Sequence, residues 1–448
     1  MKLRNTIKKI SVIIFISLCT FVYPATSAEV KFAQDLEKTL NSGSIEKALA
    51  LFEKMPAGME KDTGLQTLKG SLLLSAGKVN DAEKLASELL LKEPKNIDVL
   101  ALNAMVAKQK GNNAKKLQYL KQIIAIEPNN PEANIELGSE QALKRNYRNA
   151  RDYYAKALKG DPDNLEALFG HGKMSYYLEK DDDSKQSFNK ILELDPHNSQ
   201  ALSYLAKFEA EARQYKKAIE YVLEAVKYDS LNSDYYLDLG TYSRFSGKYA
   251  DAEKYWKKAV ELDPDYFLGY AYLAGLYDEQ NKYDLAYEYY KKVVQKNPKY
   301  YYAYESVGMF AWYKGNYEES KAAFEEARKA NPDNVSYALM VMACQLKMKK
   351  LQDMKKYAQS VMKGMDRNSL EFQMVRMYHD QTGDSPVTLK IQNEQSRSKR
   401  GKMLFYLALF YDIRGNISLA QKYYGEITEM QGASFFEARL ALLLTSPN

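Results

Sequence analysis

The chain is poor in the residues that usually carry chemistry. Its 448 residues include three histidines, His171, His197 and His379, and two cysteines, Cys19 and Cys344. No two histidines stand at metal-ligand spacing, so no zinc or metalloprotease signature is present. Glycine-rich phosphate loops, nucleophile elbows and Cys–His signatures are missing as well, which leaves no catalytic constellation and no cofactor site to expect. Beyond residues 1–28 Cys344 has no partner for an internal disulfide, so packing must hold the fold. Cys344 lies in the apolar run ALMVMACQLKM, where a thiol is expected to be buried and inert. An excess of one charge is lacking too. Lys2, Arg4, Lys8 and Lys9 are the charged residues of the first 28, so the remainder falls from a net +6 to +2. A near-neutral chain with interspersed acids and bases offers no general field for nucleic acid.

Long apolar runs are confined to the start. MKLRNTIKK is basic, ISVIIFISLCTFVY is apolar, and PATSA supplies small residues before Glu29. This is the layout of a secretory signal peptide over residues 1–28, with export to a periplasm as the expected outcome. The apolar run is short against the roughly 20 residues of a membrane span, and no later run reaches that length. Cys19 is the residue a lipidated leader would use, but Leu18 precedes it where a small residue is expected.

Proline is scarce but regular. Pro94, Pro128, Pro162, Pro196, Pro264, Pro298 and Pro332 keep an interval of 34 residues, broken once at Ser230. That is the period of a helix–turn–helix repeat. Units then start at 63, 97, 131, 165, 199, 233, 267, 301 and 335. The fifteenth position is often Gly (Gly77, Gly111, Gly247, Gly315), a residue that tolerates the left-handed turn ending a helix. The twentieth is small in most units (Ala82, Ala150, Ser184, Ala218, Ala252, Ala286, Ser320), which predicts close approach of the paired helices. The twenty-fourth carries a ring in several units, including Tyr154, Phe188, Trp256, Tyr290 and Phe324. Proline ends the second helix because it cannot continue the hydrogen bonding.

These positions resemble the tetratricopeptide repeat (TPR) family. The unit Ser233–Tyr266 carries Tyr236, Leu239, Gly240, Ala252, Trp256, Ala259 and Pro264 in the family's register, and the unit from Pro131 matches as well. The resemblance implies an all-α superhelical solenoid of stacked antiparallel helix pairs, about ten units over residues 29–368 with the first and last degenerate. Residues 369–400 read as an irregular break. Residues 401–448 read as a C-terminal unit, from Leu404 through Ala408, Gly415 and Tyr424, followed by a capping helix SFFEARLALLL. This closing stretch also looks like the C-terminal unit of NlpI-like bacterial envelope TPR proteins, adaptors for proteases and cell-wall enzymes.

The fold family implies where a partner would lie. Positions two, five, nine and twelve of each first helix line the concave face of TPR proteins. Here they include Phe169, Lys173, Tyr176, Lys207, Arg244, Tyr302, Glu305 and Trp312. Lys173 and Lys207 share one position in successive units, with Arg244 following, so an extended acidic peptide is an expected occupant. Aromatics mixed with cations are common anchors in protein recognition. The expected function is therefore a non-catalytic adaptor that grips an extended segment or helix of another envelope protein. The alternative is a glycan-binding or polysaccharide-export scaffold using Tyr176, Tyr302 and Trp312 to stack on sugars. Tyrosine is abundant, 37 in all, but many of its positions are those that pack helices. The methionines from Met340 to Met377 and the run Asp181–Asp183 are expected to fill irregular packing and a solvated turn respectively.

Overall fold

The computed structural model describes residues 26–430, 432 and 434–445. The leader reading and Cys19 lie outside them, apart from residues 26–28. Among the described residues the regular structure is α-helix, with one short 3-10 turn at Met59–Lys61. The chain divides into two compact units, residues 1–211 and 212–448.

In the first unit the helices are α1 Ser27–Asn41, α2 Ile45–Phe52, α3 Thr63–Ser75, α4 Val79–Lys92, α5 Ile97–Gln109, α6 Asn113–Ile126, α7 Pro131–Leu143, α8 Tyr147–Gly160, α9 Leu165–Tyr177, α10 Asp181–Leu194 and α11 Ser199–Glu211. The second unit begins with α12 Tyr215–Tyr228, α13 Ser233–Phe245, α14 Tyr249–Leu262, α15 Phe267–Glu279, α16 Tyr283–Lys296, α17 Tyr302–Tyr313 and α18 Tyr317–Ala330. It continues with α19 Val335–Lys347, α20 Leu351–Met362, α21 Leu370–Asp380, α22 Asp384–Asn393, α23 Arg397–Ile413, α24 Ile417–Thr428 and α25 Phe436–Thr445. Within each unit, consecutive helices pair and the pairs stack, the solenoid that the 34-residue period requires. Residues 369–400, expected to be an irregular break, hold α21 and α22.

Each pair is punctuated in the same way. The first helix ends at position fifteen in the left-handed conformation, at Gly77 (φ 74°), Gly111 (φ 70°), Gly247 (φ 75°) and Gly315 (φ 77°). The same conformation is held at Arg145, Glu179, Arg213, Asn281 and Lys349, with φ between 56° and 60°. The turn closes by paired hydrogen bonds: Gly77 N–H donates to the Leu74 carbonyl at 3.0 Å and Lys78 N–H to the Leu73 carbonyl at 2.9 Å. Glu179 and Lys180 repeat this pattern on Tyr176 and Ser175. These are helix C-caps that satisfy the orphan carbonyls, wherever the residue tolerates the geometry. The opening of the first helix has its own device. Asn96, Asn130, Asn164, Asn232 and Asn334 cap α5, α7, α9, α13 and α19 with side-chain oxygens that accept backbone N–H bonds, as Asn side chains do well.

Inside the pair, side chains from the two helices are matched in volume. Ala82, Ala150, Ala218, Ala252 and Ala286, with Ser184 and Ser320, are fully buried at position twenty. The hydroxyls of Ser184 and Ser320 donate to the carbonyls of Gly172 and Gly308 at 2.8 Å, so burial leaves them satisfied. The ring at position twenty-four sits over position eight. At Gly240 an added β-carbon would fall 2.4 Å from the Trp256 ring, and at Gly308 it would fall 2.7 Å from Phe324. The unit from 335 reverses the sizes: Met342 takes position eight and Ala358 position twenty-four, both fully buried. Lys116 occupies the small slot in the unit from 97 and is buried, its ammonium 3.4 Å from Glu140.

Candidate partner-binding faces

In the first unit the first helices α9 and α11 present an aromatic cluster. The Tyr204 ring is its centre. It stacks on Phe188 at 4.7 Å and meets Phe169 and Tyr176 edge-on, each at 5.6 Å. Tyr176 also packs on Phe208 at 5.4 Å and donates its hydroxyl to Glu211 at 2.5 Å. The Lys207 ammonium lies 4.8 Å from the centre of the Tyr204 ring, and Lys185 lies 4.9 Å from that of Phe208. Such placement adds a cation–π attraction of about 0.5–1 kcal/mol at exposed sites. Burial, then the neighbouring Tyr177, pushes the Tyr204 phenol well above its ordinary value, so it stays neutral. Lys173 lies on α9 between Phe169 and Tyr176 at helical spacing, which places all three on one stripe. Phe169, Lys173, Tyr176 and Lys207 are all half-buried. The structure thus brings Phe169, Tyr176 and Lys207 together around Tyr204, a residue that the sequence reading missed because it stands one position off the expected groove series.

The other expected residues belong to the second unit. Arg244 pairs with Glu279, and its guanidinium lies 5.9 Å from the Phe245 ring. Tyr302 is 83% exposed and touches Tyr300 edge-on at 5.8 Å. Glu305 is half-buried and accepts a hydrogen bond from the Tyr337 hydroxyl at 2.8 Å; burial pushes its carboxyl above the usual range. Trp312 is only 3% exposed and packs edge-on against Tyr317 at 5.0 Å.

The C-terminal part of the chain also packs on these later repeats. Helix α23 lies against α19, with the Tyr406 hydroxyl donating to the Ser336 carbonyl at 2.9 Å and Lys347 pairing with Asp412 at 3.2 Å. Helix α25 returns across the first helices of earlier repeats. Phe436 packs on Phe324 at 5.4 Å and on Tyr337 at 6.1 Å. Arg439 pairs with Asp278 and stands 5.2 Å from the Phe310 ring. Glu437 is fully buried; its Oε1 accepts from the Tyr406 hydroxyl at 3.1 Å while Oε2 has no protein partner. Burial raises its carboxyl pKa and lowers that of the Arg439 guanidinium to about 10. Sequence reading saw SFFEARLALLL as a closing helix only. The signal available was a carboxylate and a guanidinium two residues apart inside an otherwise apolar helix.

The remaining titratable candidates are explained by packing. His171 is half-buried, with Nδ1 2.9 Å from the Ser187 hydroxyl, and burial then Arg151 lower its pKa. Cys344 is fully buried and its thiol is pushed up to about 12. Among the described residues no helix is long and apolar enough to cross a membrane.

Comparison with known proteins gives the repeat its type. Family models described as tetratricopeptide repeat match residues 175–233, 237–301 and 301–334. Comparison with curated proteins gave no match. Among solved structures, PilF of Pseudomonas aeruginosa is similar at 21% identity, over 46% of this chain and 94% of that one, with a TM-score of 0.42. A tetratricopeptide repeat protein from Parabacteroides merdae is similar at 18% identity, over 55% of this chain and 97% of that one, also at 0.42. PilW, a type IV pilus biogenesis factor, is similar at 19% identity, over 46% and 95%, at 0.39.

Proposed function

Since the repeats of this chain are tetratricopeptide repeats, we propose that it is a non-catalytic scaffold that holds an extended segment or helix of another exported protein against the α9–α11 face. Proteins built on such repeats act through protein–protein contacts. The observation that carries the reading is the cluster of Phe169, Tyr176 and Tyr204 with Lys207 above it. Its rings are held by mutual packing, so little side-chain freedom is lost on binding. The lysines select for acidic segments. The basic and apolar residues 1–28 support export, with a periplasmic location the matching expectation. Partners of the protease or cell-wall-enzyme class follow from the likeness of residues 404–444 to envelope adaptors.

The glycan alternative loses one of its three stacking rings, because Trp312 is covered. It keeps Tyr176 and the exposed Tyr302.

The test is a crosslinking pull-down from an envelope extract with the full chain and with Lys173→Glu/Lys207→Glu. The expected result is a protein retained by the parent and lost from the variant, with unchanged helical circular dichroism. Retention of polysaccharide and no protein by both would overturn the scaffold reading in favour of the glycan.

A further inference from the structure

We propose that α25 is a built-in ligand: it occupies a second peptide-binding face, on α15, α17, α18 and α19 of the second unit with Tyr406 of α23 at its side, and that face accepts from a partner a short amphipathic helix of the same chemistry. The occupant's pattern is an aromatic ring, a carboxyl at the next residue and an arginine two residues after that, as in Phe436, Glu437 and Arg439. This face is separate from the α9–α11 cluster, so either proposal can fail without the other.

Three observations carry it. First, the contacts are those of recognition. Asp278 is 8% exposed and faces the Arg439 guanidinium, Tyr406 meets the Glu437 carboxyl, and Phe324 and Tyr337 receive the Phe436 ring. Second, these contacts are costly to bury. The Asp278 carboxylate and the Glu437 carboxyl leave water, the Arg439 side chain does so only in part, and one carboxyl oxygen of Glu437 gains no hydrogen-bond partner in return. A helix whose only task was to seal the end of the stack would bind more tightly with apolar residues at 437 and 439, since buried ion pairs seldom repay their desolvation. Polar groups in such a place select which helix fits. Third, α25 is ten residues long, too short to be stable alone in water. It therefore exists as a helix through its packing on the rest of the second unit, to which Phe436, Leu440, Ala441 and Leu443 contribute buried side chains.

The experiment uses the full chain and a fluorescein-labelled peptide of residues 434–445. Arg439→Ala weakens the internal helix and leaves the receiving face intact, so the variant should bind the peptide at least tenfold more tightly than the parent. Adding Asp278→Asn should abolish that gain, because the acceptor of the peptide's arginine is gone. A peptide in which the residue equivalent to Arg439 is alanine should bind the Arg439→Ala chain at least tenfold more weakly. Equal binding to parent and Arg439→Ala chains, or none to either, overturns the proposal. Native-state hydrogen exchange on the unaltered chain decides independently of any variant. Amides of α25 should open before those of α23 and α19; opening only with global unfolding of residues 212–448 would make α25 an ordinary part of the core.

Discussion

Position twelve of the repeat is Tyr176 in the first unit and Trp312 in the second, and the two rings meet different fates. Tyr176 remains half-exposed at the edge of an aromatic cluster, with its hydroxyl on Glu211. Trp312 lies in the interior. Position nine shows the same contrast, Lys173 half-buried against Met309 at 1% exposure. By the unit from 335 the series is buried almost throughout, and α19 hides Ser336 and every residue from Ala338 to Gln345. A repeat position therefore does not define a binding surface by itself. What folds back over it decides, and here α23 and α25 fold back over the later repeats.

The comparison can be broken most forcefully at position twenty-four. Phe188→Ala and Phe324→Ala each remove a fully buried ring and should each cost about 3–5 kcal/mol in chemical denaturation. They should differ in reach. Phe324 also supports Phe436, so its loss should deprotect residues 436–445 in hydrogen exchange, whereas Phe188→Ala should leave them protected. Equal protection of α25 in both variants would show that it does not lean on Phe324.

Acidity should act with opposite sign on particular carboxyls of the two regions. Burial raises the folded-state pKa of Glu437, which faces Tyr406 and Lys402 from α23 and Tyr337 from α19, and it raises that of Glu305. A raised folded pKa means stability that is complete below the ordinary carboxylate value of 4.5 and lost as pH rises through the raised value. These two carboxyls should thus withdraw stability from the second unit as pH climbs above 4.5, and Glu437→Gln should remove its share of that loss. In the first unit the hydrogen bond from Lys144 lowers the Glu140 pKa, so its contribution is present above the ordinary value and fades as pH falls. Calorimetry from pH 2 to 8 on the parent, Glu437→Gln and Glu140→Gln chains checks both signs.

Smaller effects test the shared framework. Asn164→Ala and Asn334→Ala each remove a helix N-cap and should cost about 1 kcal/mol by urea titration. Glu179→Gly and Lys349→Gly place glycine where the backbone is already left-handed and should each add about 0.5–1 kcal/mol. A loss at either site would show that the side chain does more than endure its backbone.

Much of this was legible in the chain. The spaced prolines, the glycines at position fifteen and the small residues at position twenty fix the helix pairs, because each reports a local backbone or packing demand. The turns at Arg145, Glu179, Arg213 and Lys349 were not legible. Nothing in a charged residue announces a positive φ, and there the stacked helices on either side impose it. The asparagine caps were written in plain view two residues after most prolines, and the reading passed over them. Half of the α9–α11 cluster was legible from repeat register; Tyr204 was not, since its ring enters the face from the adjoining position. The docking of α25 was beyond reach, because it joins residues more than a hundred positions apart, such as Asp278 and Arg439.

That last distance has a consequence for how the molecule comes into being. Most of the packing described above joins neighbours in the chain, so repeats can close one after another as the chain emerges from its N-terminal end onward. The pairing of Asp278 with Arg439 cannot. The face formed by α15, α17 and α19 emerges before α25 does, and for that interval it stands bare. A newly made chain therefore passes through a stage in which its later repeats are open to whatever helix is at hand, before its own arrives.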